Sequence, residues 1–168
     1  MPEANIVTVV SHWNQYFEGF HIDPSAFYDT LERAIGKRNI PDVEFKQIKC
    51  TEGGVFSANR LYLRVSRKDH YFDICGAPFG KGYFISWWLV AYPRGCLLIF
   101  EEIPYIGGVI KVLFNPITYY KLDTTMMFQQ CVHGAVMKVV DAITEERGIR
   151  ALTETQRKPI MRDFLKGN

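Results

Sequence analysis

The sequence has little of what marks the common metal-binding and catalytic classes. Its four cysteines are spread through 168 residues and form no CxxC motif and no Cys–His pair at metal-ligand spacing: Cys50, Cys75, Cys96 and Cys131. Zinc sites need such pairs, so we expect no bound metal. No Ser-His-Asp set or pair of catalytic carboxylates stands out either. No cofactor is expected.

The chain also lacks an excess of charge and a long apolar run. It has 20 Lys plus Arg and 18 Asp plus Glu, so its net charge is +2. This near-balance argues against nucleic acid as a partner. No apolar run reaches the roughly 18 residues of a spanning helix, and the N-terminus lacks the basic start and apolar core of a signal peptide. We therefore expect a cytoplasmic protein with free thiols.

Aromatic side chains are what the sequence has in excess, at 14% of all residues. Their densest stretch is YFISWWLVAY at 83–92, which holds two tryptophans and no charge. Read with a period of two, it is a strand whose two faces are both largely apolar. We expect its aromatic residues to lie in the core and not to form a stacking platform for nucleic-acid bases.

Hydrophobic periodicity predicts an α+β fold, organised as a single domain over 1–168. Apolar residues at helical spacing from Ile6 to Phe20 predict a first helix. Asp23 followed by Pro24 predicts the N-cap of a second helix. The first 40 residues are therefore expected to be a helical N-terminal part.

From residue 42 the pattern changes to the alternation of strands and predicts a curled antiparallel β-meander of about five strands within 42–120. One register pairs apolar with apolar residues and opposite charges with each other: Leu63–Ile74, Val65–Phe72 and Arg64–Asp73. A long helix from about Asp123 to Gly148 is expected to pack on this sheet. A basic tail, with a possible capping box from Thr153 to Gln156, completes the part 121–168.

Cys75 and His133 are catalytic candidates. In the predicted register Cys75 shares a strand face with Arg60 and Arg64, and nearby guanidinium groups can lower a thiol pKa. The alternative is a small side chain that packs in the sheet. His133 lies on the polar edge of the long helix, where it is either a catalytic base without an identified partner or an ordinary helix-surface histidine.

Cys96 is the third catalytic candidate, and it carries a resemblance to a known family. A helix, a four-stranded meander, and then Cys96 followed by Leu97-Leu98 resemble the order of elements in ubiquitin-conjugating proteins over residues 24–100. The string Gly53-Gly54-Val55-Phe56 is similar to one of their motifs. The resemblance implies thioester transfer through Cys96. The His-Pro-Asn tripeptide of that family is absent before this cysteine, so its oxyanion-stabilising asparagine has no counterpart.

The apolar segment 95–114 has two interpretations. It is either ordinary core or an exposed patch that meets a membrane surface or a partner protein. In the second case Phe100, Tyr105 and Ile106 are candidate binding residues. Trp13 and Phe17, on the predicted first helix, are candidates if that helix docks on a partner.

We favour a non-catalytic module that binds a protein partner or forms a homo-oligomer. The reasons are that no set of catalytic residues stands out, that aromatic residues are in excess, and that both ends of the chain carry amphipathic segments. Two alternatives stay open. One is a cysteine-dependent enzyme acting through Cys75 or Cys96, including ubiquitin-conjugating-like transfer. The other is a membrane-peripheral protein acting through 95–114.

Overall fold

The computed structural model describes residues 8–51, 59–92 and 118–161. In chain order they form β1 (Thr8–Glu18), α1 (Pro24–Gly36), β2 (Glu44–Thr51), β3 (Asn59–Arg67), β4 (His70–Phe79), β5 (Gly82–Ala91), α2 (Tyr119–Glu146), α3 (Glu154–Arg157) and β6 (Ile160–Met161). The strands make one sheet in the order β2-β3-β4-β5-β1-β6, with every described pair antiparallel. The predicted α+β class is confirmed, with six strands and not about five.

The first element is a strand, so the helix predicted from the apolar spacing at the N-terminus was wrong, and only α1 precedes the meander. A register shift between Val9 and Ser11 explains the error. This β-bulge turns both Val10 and Ser11 towards the core, so the buried side chains that follow recur at spacings of three and four, as they would on a helix. The β-branched and aromatic residues of β1 favour the strand.

Helix α1 begins where the sequence predicted. The Asp23 carboxylate accepts a hydrogen bond from the backbone N–H of Ala26 at 3.0 Å, and Pro24 occupies the first turn. The helix buries Phe27, Tyr28, Leu31 and Ile35 against the sheet. The Tyr28 hydroxyl donates to the carbonyl of Leu61 at 2.6 Å, which ties α1 to β3.

Strands β3 and β4 pair as the sequence predicted, with Leu63 opposite Ile74 and Val65 opposite Phe72. This register is therefore confirmed. At Gly76 of β4 the sheet packs tightly against Phe27 of α1. A Cβ atom there would lie 2.6 Å from Cε1 of Phe27.

Helix α2 packs across the same face of the sheet as α1. It begins at Tyr119, four residues before the predicted start, because the Thr118 hydroxyl accepts a hydrogen bond from the backbone N–H of Lys121 at 3.3 Å. It ends as predicted before Gly148, which adopts a φ of 62°. Its buried stripe includes Phe128, Val132, Ala135, Val136, Val139 and Val140.

The chain then turns back along α2 through the short helix α3. The predicted capping box is present, because the side chains of Thr153 and Gln156 each accept from the other residue's backbone N–H. Strand β6 follows and pairs with β1 over two residues only, with Ile160 opposite His12 and Met161 opposite Ser11.

Candidate functional site

The sheet has two faces with different surroundings. Its inner face packs against α1 and α2 and supplies the strand residues of the buried core. Its outer face is covered by neither of these two helices. Strand alternation and cross-strand pairing assign these larger side chains to the outer face: His12, Tyr16, Tyr62, Arg64, Tyr71, Asp73, Phe79, Phe84, Trp88 and Tyr92.

Four aromatic side chains of the outer face are substantially exposed. Phe79 is 69% exposed, Tyr16 42%, Tyr92 41% and Trp88 40%. Single exposed aromatic residues are common on protein surfaces, but several on one side of a sheet form a patch of the kind found at interaction sites.

Arg64 organises one end of the outer face. Its guanidinium donates two hydrogen bonds to the Asp73 carboxylate, both at 2.7 Å, and a third to the Tyr92 hydroxyl at 3.0 Å. It also lies 4.0 Å from the centre of the Tyr71 ring, a cation–π distance. The Tyr71 and Tyr92 rings are 4.5 Å apart. Each side chain in this cluster is therefore held by at least two contacts.

Two titratable groups reflect this packing. The bidentate bond to Asp73 raises the pKa of the Arg64 guanidinium, so its charge is permanent. Burial, and then the negative charge of Asp73, raise the pKa of Tyr71 to about 12, so this phenol stays neutral at physiological pH.

Trp88 and His12 extend the cluster across the sheet. Their rings stack with centroids 4.8 Å apart and planes 16° from parallel. The register places Asp73 opposite Trp88 and Arg64 opposite Asp73, so the row crosses four neighbouring strands. We call the side chains of Arg64, Tyr71, Asp73, Trp88, Tyr92 and His12 the aromatic row.

A second aromatic group lies near the turn between β4 and β5. Tyr16 is opposite Phe84, and its hydroxyl donates to the carbonyl of Phe79 at 3.1 Å. Gly82 makes room for it, since a Cβ atom there would lie 2.6 Å from the Tyr16 ring. The glycine therefore lets the Tyr16 ring lie flat on the sheet.

Charges on the outer face balance. By strand alternation the basic residues are Lys46, Arg60 and Arg64, and the acidic ones are Glu18, Glu44 and Asp73. Arg64 and Asp73 neutralise each other directly. The described strand residues of this face therefore carry no net charge that would select a polyanion or a polycation.

Cys75 lies on the outer face beside Arg60, as the predicted register implies, but its side chain is buried at 1% exposure. Burial raises the pKa of the thiol to about 11, and the opposing influence of Arg60 is smaller. The thiol pKa is thus raised, whereas the neighbouring arginines alone would lower it. At neutral pH the sulfur is a protonated thiol that packs in the sheet.

His133 lies at the inner face, between the sheet and the C-terminal segment. Trp87 Nε1 donates to His133 Nδ1 at 3.2 Å, and His133 Nε2 donates to the carbonyl of Arg157 at 2.8 Å. The rings of Trp13 and Trp87 meet the imidazole edge-on, with centroids 6.1 and 5.5 Å away. Burial lowers the pKa of His133. Both ring nitrogens are thus engaged by an indole and a backbone carbonyl, neither of which is a catalytic partner.

The other predicted binding and catalytic residues fall in two groups. Trp13 and Phe17 are 2% and 5% exposed and belong to the core. Cys96, Phe100, Tyr105 and Ile106 lie outside the described residues.

Sequence reasoning missed the exposed aromatic residues of the outer face. A signal was present, because alternation put Phe84, Trp88 and Tyr92 on one side of the strand. That signal could not say that neither α1 nor α2 would cover this side.

Within residues 8–51, 59–92 and 118–161, no three His, Cys, Asp or Glu side chains converge to form a metal site. No helix in that same part of the chain is long and apolar enough to cross a membrane.

An open depression of about 710 Å³ lies beside α1 and β2. It is lined by Asp29, Glu32, Arg33, Gly36 and Phe45. Of the catalytic candidates within the described residues, neither Cys75 nor His133 is among these lining residues, which bring together no cysteine or serine nucleophile with a base.

Comparisons with known proteins leave the chain without a family. No family model matches it, and no curated protein does. Among solved structures it is similar to the di-domain ARO/CYC StfQ from the steffimycin biosynthetic pathway, with a TM-score of 0.31 and 15% identity over 83% of this chain and 52% of that one. The chain thus spans about half the length of that structure. A TM-score this low carries no argument about fold or function.

Proposed function

We propose that this protein is a non-catalytic module that binds a second protein through the outer face of its sheet. The observation that carries the proposal is the aromatic row together with the exposed Tyr16 and Phe79 on a face that neither α1 nor α2 covers. Tryptophan, tyrosine and arginine are the residues that contribute most to binding free energy in protein interfaces.

The charge of the outer face supports a protein as the partner. Basic and acidic side chains are equal in number there, whereas surfaces that bind nucleic acid carry an excess of Lys and Arg. A protein surface with apolar groups at its centre and polar groups at its rim matches this composition.

The fixed geometry of the aromatic row supports binding in a second way. Arg64 is held by Asp73 and Tyr92, and Trp88 is held by the stack with His12. Side chains that are already ordered lose less conformational entropy when a partner binds. The row is therefore suited to a rigid contact surface.

The test is a binding comparison between two surface variants. Tagged wild-type protein, Trp88→Asp and the control Glu32→Lys, on the exposed side of α1, are used to capture partners from extract. The captured protein is then purified and titrated against all three. We expect Trp88→Asp to weaken binding at least about tenfold, which corresponds to 1.4 kcal/mol, and Glu32→Lys to leave it unchanged.

Two outcomes decide against the proposal as stated. If the two variants bind equally well, the outer face is not the binding surface. If light scattering finds a wild-type dimer that Trp88→Asp dissociates, the partner is a second copy of this chain.

A membrane surface is a second candidate, favoured by the start of α2. Four large side chains there are exposed: Tyr119 (87%), Tyr120 (79%), Met126 (46%) and Met127 (66%). Their spacing of seven residues puts them on one side of the helix, and tyrosine is favoured at the boundary between lipid and water. In the sequence they follow the apolar segment 95–114.

Liposome flotation tests this candidate. Wild-type protein that floats with vesicles, while the Tyr119→Asp/Met126→Asp variant stays in the dense fraction, would support it. Protein that does not float with either zwitterionic or anionic vesicles would end it.

A further inference from the structure

The C-terminal segment, residues 152–161, is attached to the rest of the protein by a few specific polar contacts. The Trp13 indole donates to the carbonyl of Gln156 at 2.6 Å, and the His133 imidazole donates to the carbonyl of Arg157 at 2.8 Å. Strand β6 adds pairing over two residues, whose side chains are 58% and 41% exposed. Leu152, at the start of the segment, packs partly buried against the core. Most residues after it are exposed, so these polar contacts decide whether the segment beyond Leu152 stays attached.

We propose that His133 is a pH-sensitive latch, and that protonation of its imidazole releases residues 152–161 and uncovers the edge of β1. A neutral imidazole has one donor and one acceptor nitrogen. His133 uses its Nε2–H towards Arg157, which leaves Nδ1 to accept from Trp87.

Protonation removes the acceptor. The imidazolium would carry an N–H on Nδ1, facing the N–H of Trp87 Nε1 across the present distance of 3.2 Å. Two donors cannot share that position, so one ring has to move. Trp87 is fully buried within the sheet, with 0% exposure, so movement falls to the imidazole and to the Arg157 carbonyl bonded to it.

The charges around His133 do not favour the imidazolium. Among the described residues of β1 and β5, the rings in contact with the imidazole are those of the uncharged Trp13 and Trp87. The C-terminal segment brings the cations of Arg157 and Lys158, and the chain after α1 brings Arg38 against Gly134, the next residue of α2.

The nearby carboxylate is already engaged. Asp141 of α2 is bound by the Arg157 guanidinium at 2.6 and 2.9 Å. It therefore does not offer the imidazolium a free negative charge. This ion pair belongs to the same attachment and would be loosened when Arg157 moves.

The direction of the pH response follows from linkage. Burial lowers the pKa of His133 in the attached state below its ordinary value of about 6.5. The attachment is therefore complete above the ordinary pKa, and it weakens as the pH falls below that value towards the lower pKa of the attached state. Over that window the ratio of released to attached segment rises up to about tenfold for each pH unit.

Release would expose an edge that is able to pair. At present β6 covers β1 at Ser11 and His12. Unpaired strand edges add strands from other chains, so the latch would make β1 available in mild acid.

Hydrogen exchange on the full chain between pH 7.5 and 5.5 tests the latch. After correction for intrinsic rates, we expect protection of the backbone amides that pair β6 with β1, within 160–161 and 11–12, to fall by up to about tenfold in the wild type. His133→Gln keeps one donor and one acceptor and does not titrate, so its protection should not change with pH. His21→Asn, at an exposed histidine outside the strands, should respond as the wild type does.

Proton NMR of the wild type gives a second test that needs no variant. The indole N–H signals of Trp13 and Trp87 should shift with the same midpoint as the His133 ring. Signals that stay unchanged through the His133 midpoint would overturn the proposal. So would a His133→Gln variant with the wild-type pH response, or a loss of protection that spreads through the whole chain at once.

Discussion

The inner and outer faces of the sheet are both rich in aromatic side chains, but the two faces use them differently. On the inner face, Trp87 and Phe72 are 0% exposed and meet at 5.1 Å, edge to face, beneath α2. On the outer face, Trp88 and Tyr92 are 40% and 41% exposed and contact mainly polar or other aromatic groups. Neighbouring tryptophans thus serve stability in one case and, in our proposal, binding in the other.

This contrast shows that residue type alone does not separate core from surface in an aromatic strand. Alternation assigns side chains to faces, and the helices decide which face becomes the core. If the two faces divide stability and binding between them, substitutions on the inner face should lower stability more than substitutions on the outer face.

The largest difference is expected between the adjacent tryptophans. Trp87→Ala should lower the free energy of unfolding by about 3–5 kcal/mol, because it leaves a cavity in the core and removes the partner of His133. Trp88→Ala should cost less than about 1 kcal/mol, since its ring is partly exposed. Urea denaturation of both variants measures the difference. Equal losses in the free energy of unfolding would contradict the assignment of stability to the inner face and binding to the outer face.

A smaller effect is expected where α1 meets the inner face. Gly76→Ala would place a methyl group 2.6 Å from Phe27 and 2.8 Å from the Tyr83 hydroxyl, and should cost about 1–3 kcal/mol. Gly36→Ala, at the end of α1, is the matched control, because its added methyl meets nothing within 4 Å. Thermal unfolding that ranks the two variants equally would contradict the close packing at Gly76.

The ion pair of the outer face should contribute still less. Arg64 and Asp73 have side chains that are 25% and 17% exposed, and solvent screens such pairs. A double-mutant cycle with Arg64→Met and Asp73→Asn should give a coupling free energy of about 1 kcal/mol or less. A coupling several times larger would mean that the outer face is also a major source of stability.

Cys75 gives the smallest effect, a chemical one. Because its thiol pKa is about 11, only about one molecule in a thousand carries the thiolate at pH 8. Iodoacetamide at that pH should therefore label the exposed Cys50 well before the buried Cys75. Mass spectrometry of the labelled peptides measures the order. Faster labelling of Cys75 would contradict this and support the alternative of a cysteine-dependent enzyme.

Much of the fold could be predicted because its signals are local. The cap at Asp23, the register between β3 and β4, and the capping box at Thr153 each depend on residues close in sequence. The strand β1 could not be recognised, because a bulge gave its buried residues the spacing of a helix.

The site was harder to predict because it depends on contacts between distant residues. His133 contacts Arg157, 24 positions away in the sequence, and Trp87, 46 positions away. No local sequence pattern predicts these contacts. The pairing of Arg64 with Asp73 was predictable from the hairpin, whereas the contact of Arg64 with Tyr92 depends on where β5 ends.

The central claim is that the outer face binds a partner without being needed for the fold. The most direct measurement is calorimetric titration of Trp88→Ala with the purified partner, alongside its unfolding curve. We predict affinity at least about tenfold weaker with nearly unchanged stability. Unchanged affinity in a folded Trp88→Ala protein would contradict the claim.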